Sequence, residues 1–358
     1  MNLARVEKIA KAVLYEGYML YPYRPSSVKN QQRWHFGVLC PKSYSEAQNG
    51  SEAWTMQTEC LVDGSSLTTL EVRVRFLHLV ARSAGELATP LKKLLPDKAP
   101  EFRPVERLEV NGRVYQPWQE AIERELCFPL YNVEALSHRT VCDAFSFSTE
   151  KLFEYVRDNS NEIAGVIVRK RNAIAGAIEV ATERVENGVF KVSVLIRNTT
   201  PFTVAQDSTR DEALLSSMAS VHTVLGVQDG SFVSLIAPEE RLREAAANCM
   251  NVGTWPVLAG EEGQRDTILS SPIILYDYPQ IAPESAGDLF DGTEIDEILS
   301  LRIMTLTDDE KREMSQSDER ARQMLERTET MPLEQLMKLH GVLRGLRPVG
   351  PRSQEQTQ

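Results

Sequence analysis

The chain has 358 residues, 42% of them hydrophobic and 25% charged, with a formal net charge of -11. That is long enough for two domains or for one large body with an appendage, and apolar enough for a sizeable core. The negative balance argues against non-specific binding to nucleic acid or to an anionic membrane, which both select clustered Lys and Arg.

The opening MNLARVEKIAKAV lacks the apolar stretch and cleavage site of a secretory signal. No later run approaches the roughly 18 apolar residues of a membrane span. The expectation is a cytoplasmic protein without membrane insertion. Residues 3–21 are apolar and Tyr-rich, and their β-branched and aromatic content favours a strand over a helix, although Ala4 to Lys11 also fits a first helical turn. Pro22 and Pro25 impose an extended or turning backbone. The basic, aromatic loop from Tyr23 to Trp34 has the composition of a single-strand binder, yet in an acidic protein it reads as a structural loop with arginines stacked on rings.

Further strands are expected at 35–40, 54–62 and 67–81, with 42–53 as a surface loop. In the last strand Val72, Val74 and Phe76 alternate with Arg73, Arg75 and Leu77. Four prolines between 90 and 104 mark a connector. Asn111-Gly112, flanked by Leu108, Val110 and Val114, supplies a tight hairpin turn. Asn187-Gly188 supplies a second one. Strict pairing about it sets Ile178 opposite Arg197 and Val180 opposite Leu195, so the apolar faces disagree. Either a β-bulge near 182–184 or burial of both faces resolves the conflict. Helices are expected at 149–159, 211–221 and 238–249, and a strand at 231–236.

The stretch from Ser271 to Met304 stands apart. It opens with Ile273-Ile274-Leu275-Tyr276, read as a buried strand, and passes through an acidic loop into a helix. From 271 to 330 there are 15 Asp and Glu against 6 Lys and Arg, a net of 6 - 15 = -9. Thr307-Asp308-Asp309-Glu310 is a capping box opening a charged helix, broken near 315–317 and running to about Thr328. Another helix is expected from Met331-Pro332, and 347–358 reads as disordered. The fold class is therefore α+β: a mainly antiparallel, sandwich-like β body with an acidic C-terminal helical tail. Its parts are a β-rich body over 1–270, with a possible internal boundary near 145–160, and a joint and tail over 271–346.

Few residues point to chemistry. The carboxylates between 277 and 297 include Asp288, Asp291 and Glu294 as candidate metal ligands. A calcium-loop spacing fails, however: with Gly292 at the turn, Gly287, Leu289 and Ile298 fall where ligands belong. The same residues serve as a cap and first turn of a helix, with Asp291 or Thr293 capping. That helix carries Ile295, Ile298, Leu299 and Arg302 at helical spacing, either packing on the body or docking another protein, and Leu301 and Met304 widen its apolar arc. The five histidines show no metal-ligand spacing, and a His222–Cys249 pair depends on the fold. The five cysteines form no CxxC pair. No phosphate-binding or nucleophile-elbow motif is present. No catalytic residue and no cofactor follow.

Two stretches, LYEGYMLYPYRPSSVKNQQRWHFGVLCP (14–41) and NVGTWPVL with SPIILYDYPQIAPESAGDLFDGTEIDEILSLRIMTLTDDEKREM (251–314), resemble an uncharacterised bacterial protein family. Its members are often encoded beside uptake-type nickel–iron hydrogenases and their assembly genes. The resemblance implies a non-enzymatic accessory or assembly factor whose partner is a hydrogenase subunit or maturation protein. A metal-dependent hydrolase built on the 277–297 carboxylates, or a structural subunit of a larger complex, stands as the alternative.

Overall fold

The computed structural model describes residues 3–16, 18, 21–27, 30, 35–92, 101–280, 296–317, 319–332 and 334–335. Its spine is one strand, β1 (Thr55–Leu91), 37 residues long. The sequence reads there as two strands, because Asp63-Gly64-Ser65-Ser66 has the composition of a turn. The ladder instead absorbs the interval as a bulge between Gly64↔Gly230 and Thr69↔Gln228. Buried Thr68 fastens the bulge: its hydroxyl donates to Asp229 O at 2.5 Å and accepts from Ser65 N at 2.8 Å. A Cβ on Gly64 would stand 2.4 Å from that hydroxyl oxygen, so glycine is required at this close approach. A bulge of this kind bends the strand and lets it continue in a new direction.

β1 has neighbours along both edges. At Leu61–Asp63 they are β11 (Val189–Asn198) and β12 (Met218–Val233). Further on, β12 faces β6 (Tyr131–Asn132) and then β5 (Trp118–Cys127) across β1. At Ala84–Glu86 the neighbours are β2 (Arg103–Val105) and β9 (Ile163–Arg171). The sheet is extended by β7 (Val141–Phe147), β8 (Glu150–Arg157), β10 (Ile174–Glu186), β13 (Trp255–Leu258) and β14 (Thr267–Ser271). The result, among the described residues, is one 12-stranded sheet in which every pairing is antiparallel. A separate hairpin joins β3 (Leu108–Val110) to β4 (Arg113–Tyr115), with Asn111 and Gly112 at φ +56° and +74° as the turn demands. With its helices the protein is mainly antiparallel β, within the α+β class.

The pattern of faces follows β1. Met56, Cys60, Val62, Leu70, Val72, Val74 and Phe76 join the main core, with residues from β10, β11 and β12. Leu77 and Leu79 point the other way, into a second core. The hairpin at Gly188 resolves its conflicting faces by a bulge between Arg184 and Glu186, which sets Ile178 opposite Ile196 and Val180 opposite Val194. The expected bulge thus lies at Val185, one residue beyond the interval the pattern points to.

Several expectations are corrected. Residues 149–159 form strand β8, not a helix: Phe153 pairs with Val168, and with Tyr155 it packs against the core of Leu87, Ile163, Val166 and Val168. Long-range pairing overrides the local helical spacing here. The N-terminal segment is the helix α1 (Leu3–Leu14), not a strand, because Val6, Ile9, Ala10 and Leu14 share one buried side. Residues 42–53 hold a short helix, α2 (Lys42–Ala47), and 35–40 contribute only the bridge Leu39↔Met218. A four-residue helix, α3 (Val133–Leu136), follows β6 and is capped by Asn132. The expected helix at 211–221 is shortened to α4 (Arg210–Leu214), since β12 begins at Met218. The one at 238–249 becomes a 3-10 turn and α5 (Arg243–Ala247). Ile273–Tyr276 is not a buried strand: the strand is β14, and Ile274 and Tyr276 are 78% and 84% exposed.

Three helices close the chain: α6 (Asp296–Met304), α7 (Asp308–Ser317) and α8 (Glu319–Glu329). The capping box is present, with Thr307 N donating to Glu310 at 2.8 Å and Glu310 N to the Thr307 hydroxyl at 3.3 Å. Residues 315–317, where the break is expected, are still helical at the end of α7, and α8 begins at Glu319. The loop 281–295, the connector over 93–100, most of the last expected helix and the tail 347–358 lie outside the described residues.

Phe76 is fully buried and meets the rings of Phe145 and Phe147 at 6.4 and 6.0 Å. Replacing it with alanine is expected to cost roughly 3–5 kcal/mol in urea unfolding. A loss under about 1 kcal/mol would contradict this account of the core.

Candidate functional site

The second core is a layer of helices laid over the outer side of β1 and β5. It gathers Leu14, Tyr15, Tyr18 and Tyr23 from the N-terminal region with Leu299, Ile303, Met314, Met324 and Leu325 from the closing helices. In α6, Leu299 and Ile303 are fully buried in it. Ile298, Leu301 and Met304, three residues apart, lie on the opposite side at 38%, 44% and 45% exposure. The helix is thus anchored by one apolar stripe and presents another. Arg302 lies with its guanidinium 5.6 Å from the centre of the Tyr21 ring, a cation–π contact that ties the end of α6 to the N-terminal segment. Of the sequence-predicted contact residues, then, Leu299 faces inward, Ile298 outward and Arg302 toward Tyr21. Ile295 lies outside the described residues.

The candidate metal ligands Asp288, Asp291 and Glu294 also lie outside them. Asp277, at the start of that acidic run, has both oxygens engaged: it accepts from the Ser234 hydroxyl at 2.5 Å and from Leu258 N at 2.8 Å. It holds the segment after β14 against β13, a structural task. Among the described residues no cluster of three His, Cys, Asp or Glu has a metal-binding arrangement.

Beneath the helical layer runs a polar network that sequence pattern does not reveal. Glu123 accepts from the Tyr15 hydroxyl at 2.8 Å and from Arg320 at 2.9 Å, and it faces Arg75 at 3.5 Å. The Arg320 guanidinium also covers the Tyr15 ring at 4.1 Å. Burial acts to raise the Glu123 carboxyl, but the hydrogen bonds from Tyr15 and Arg320 outweigh it and hold it below the usual range. Burial pushes the Tyr15 phenol far above its ordinary value. The one legible trace of this network is the alternation of Arg73 and Arg75 along β1. Their partners Glu123 and Glu125 on β5, and the Arg320 of α8 that shares Glu123, come from distant sequence.

His78 and His222 are both fully buried. His222 donates from Nδ1 to Ser220 O at 2.5 Å, and His78 from Nε2 to Asn172 O at 2.9 Å, since a carbonyl only accepts. Burial, the largest effect on each, lowers both to about 4; the carbonyl contacts oppose it and neighbouring arginines add to it. Cys249 is not joined to His222: its thiol contacts Ala245 O at 3.6 Å, and it packs with Leu61 and Leu242. All five cysteines are free. Burial raises the thiols of Cys40 and Cys249 to about 11, away from a reactive thiolate at neutral pH. No helix among the described residues is long and apolar enough to cross a membrane. No protein-family model matches the chain, and no curated protein matches it.

The two histidines set an acid limit. Their folded values near 4 lie below the ordinary 6.5, so the unfolded chain takes up protons first as the pH falls. Their stabilising contribution is complete above pH 6.5 and is lost on the way down to about pH 4. Each is expected to cost on the order of 3 kcal/mol over that window in chemical unfolding. Ring resonances of either histidine titrating near its ordinary value would contradict this.

Proposed function

We propose that the protein is a non-enzymatic accessory or assembly factor that works by protein–protein contact, with a subunit of a nickel–iron hydrogenase or one of its maturation proteins as the partner. The observation that carries this reading is the divided face of α6. Leu299 and Ile303 fix the helix to the body, while Ile298, Leu301 and Met304 stay in water on the other side. A stripe of three large apolar residues on a rigidly seated helix suits helix-to-surface docking. Ile274 and Tyr276, at the other described end of the same stretch, add exposed apolar surface. The identity of the partner rests on the resemblance of 14–41 and 251–314 to the hydrogenase-associated family. We also read the body as sandwich-like, since the two arms of β1 deliver their inward residues to one core, and the protein as cytoplasmic.

Affinity purification of the tagged protein at native level, from cells expressing the hydrogenase, is expected to recover a hydrogenase subunit or maturation protein. The double variant Leu301→Glu with Met304→Glu is expected to lose that partner while changing stability by under about 1 kcal/mol, as befits exposed positions. Recovery of no such partner by the unaltered protein, or full recovery by the double variant, would refute the proposal.

A further inference from the structure

The inward side of β1 changes character beyond Phe76. His78 follows it on the same face, and the β5 register sets Arg124 directly opposite Phe76. On the other edge Arg82 pairs with Arg169 of β9, and Arg171 lies two residues further on, on the same side. Three basic side chains from three strands therefore converge at one end of the main core. The Phe147 ring floors the place, with the Arg124 guanidinium 4.5 Å and the His78 ring 6.1 Å from its centre.

The negative charges nearby do not serve them equally. Glu120 is shared between Arg82 at 3.0 Å and Arg169 at 2.7 Å. Glu150 pairs with Arg171, and its side chain is 41% exposed. Arg124 has no carboxylate partner and no side-chain hydrogen bond among the described residues. Nε of Arg124, Nε of Arg171 and Nδ1 of His78 are all buried without a hydrogen-bond partner. Buried polar atoms in this state are rare, because leaving one unpaired forfeits its full hydration. Burial first, and the charge of Arg171 second, lower the Arg124 guanidinium, as expected for two cations held together.

We propose that Arg124, Arg171 and His78 form a binding site for a phosphate group. Two guanidiniums with free Nε–H donors match phosphate oxygens. His78 refines the choice. Its Nε2–H is committed to Asn172 O, so Nδ1 offers a bare lone pair. Hydrogenphosphate carries an O–H that satisfies this lone pair, whereas sulfate at neutral pH has none. The site thus selects phosphate over a sulfate of nearly the same shape.

Titration calorimetry of the full-length protein at neutral pH and fixed ionic strength tests this, with inorganic phosphate, sulfate and glycerol phosphate as probes. Saturable phosphate binding is expected, with sulfate weaker by roughly tenfold or more. Arg124→Gln and Arg171→Gln should each weaken phosphate by a similar factor, and the exposed Arg241→Gln should not change it. The tighter of inorganic phosphate and glycerol phosphate identifies the source of the group. Because a variant can fail to fold, the comparison of phosphate with sulfate on the unaltered protein stands independently. No binding of either phosphate at millimolar concentration, equal binding of sulfate, or unchanged affinity in a folded Arg124→Gln would overturn the proposal.

Discussion

The rest of the structure depends on β1 being paired on both edges at several separate stretches: 61–63, most of 69–78, 81–82 and 84–86. A strand so placed cannot shift its register without breaking ladders on two sides. The bulge at residues 65–68 lets the same strand serve β11 on one stretch and β5 on another, and Thr68 fastens it by hydrogen bonds within the strand and to β12. Alternation then does the sorting: one set of β1 side chains fills the main core, and the other receives the helical layer.

That helical layer joins the two ends of the chain. Arg24 meets Glu310 at 2.9 Å and Glu313 at 3.7 Å, and Ser26 donates from its backbone to Glu313 at 2.7 Å. Arg82, its side chain 9% exposed, donates to Gln116 O and to Ser317 O at the end of α7. Exposed ion pairs of this kind contribute little singly. The partly buried ones around Arg82 and Glu123 are worth more, because their hydrogen bonds are held in place by surrounding packing. Carboxylates of the acidic tail therefore serve partly to seat it: Glu310 and Glu313 meet a basic N-terminal loop, while Arg320 of α8 reaches Glu123 on β5.

Legibility in the sequence divides by range. Asn111-Gly112, the capping box at Thr307 and the alternation through Val72, Val74 and Phe76 act over a few residues, and each appears in the structure as read. The bulge in the β10–β11 hairpin was one of two outcomes that the misaligned apolar faces allowed, burial of both faces being the other, and it lies one residue beyond the interval read. What local pattern misjudges is decided by distant partners. Residues 150–157 have helical spacing, but β9 offers a paired edge and an apolar surface for Phe153 and Tyr155. The N-terminal segment is rich in strand formers, yet Val6, Ile9 and Ala10 find Val224, Ala259 and Leu269 to pack against as a helix. The divided face of α6 was half legible. Its broad apolar arc was visible, but only the position of the second core tells which stripe is buried.

The two faces of the β1–β5 pair also differ in how charge is balanced. On the helical side Arg73 and Arg75 are matched by Glu71, Glu123 and Glu125 at distances from 2.7 to 3.5 Å. On the core side Arg169 has Glu154 at 2.5 Å as well as the Glu120 it shares with Arg82, Arg171 has Glu150, and Arg124 has a ring for company. A protein with a net charge of -11 has carboxylates to spare, so a guanidinium left against an aromatic ring is not forced by composition. Apolar contacts alone do not replace the hydration that the buried Nε of Arg124 gives up, and the cation–π contact with Phe147 offsets only part of it. The layout separates an apolar stripe on α6, outside the helical layer, from a cationic corner on the opposite face of β1. A protein docked on the first need not cover the second, so the two surfaces can be engaged independently.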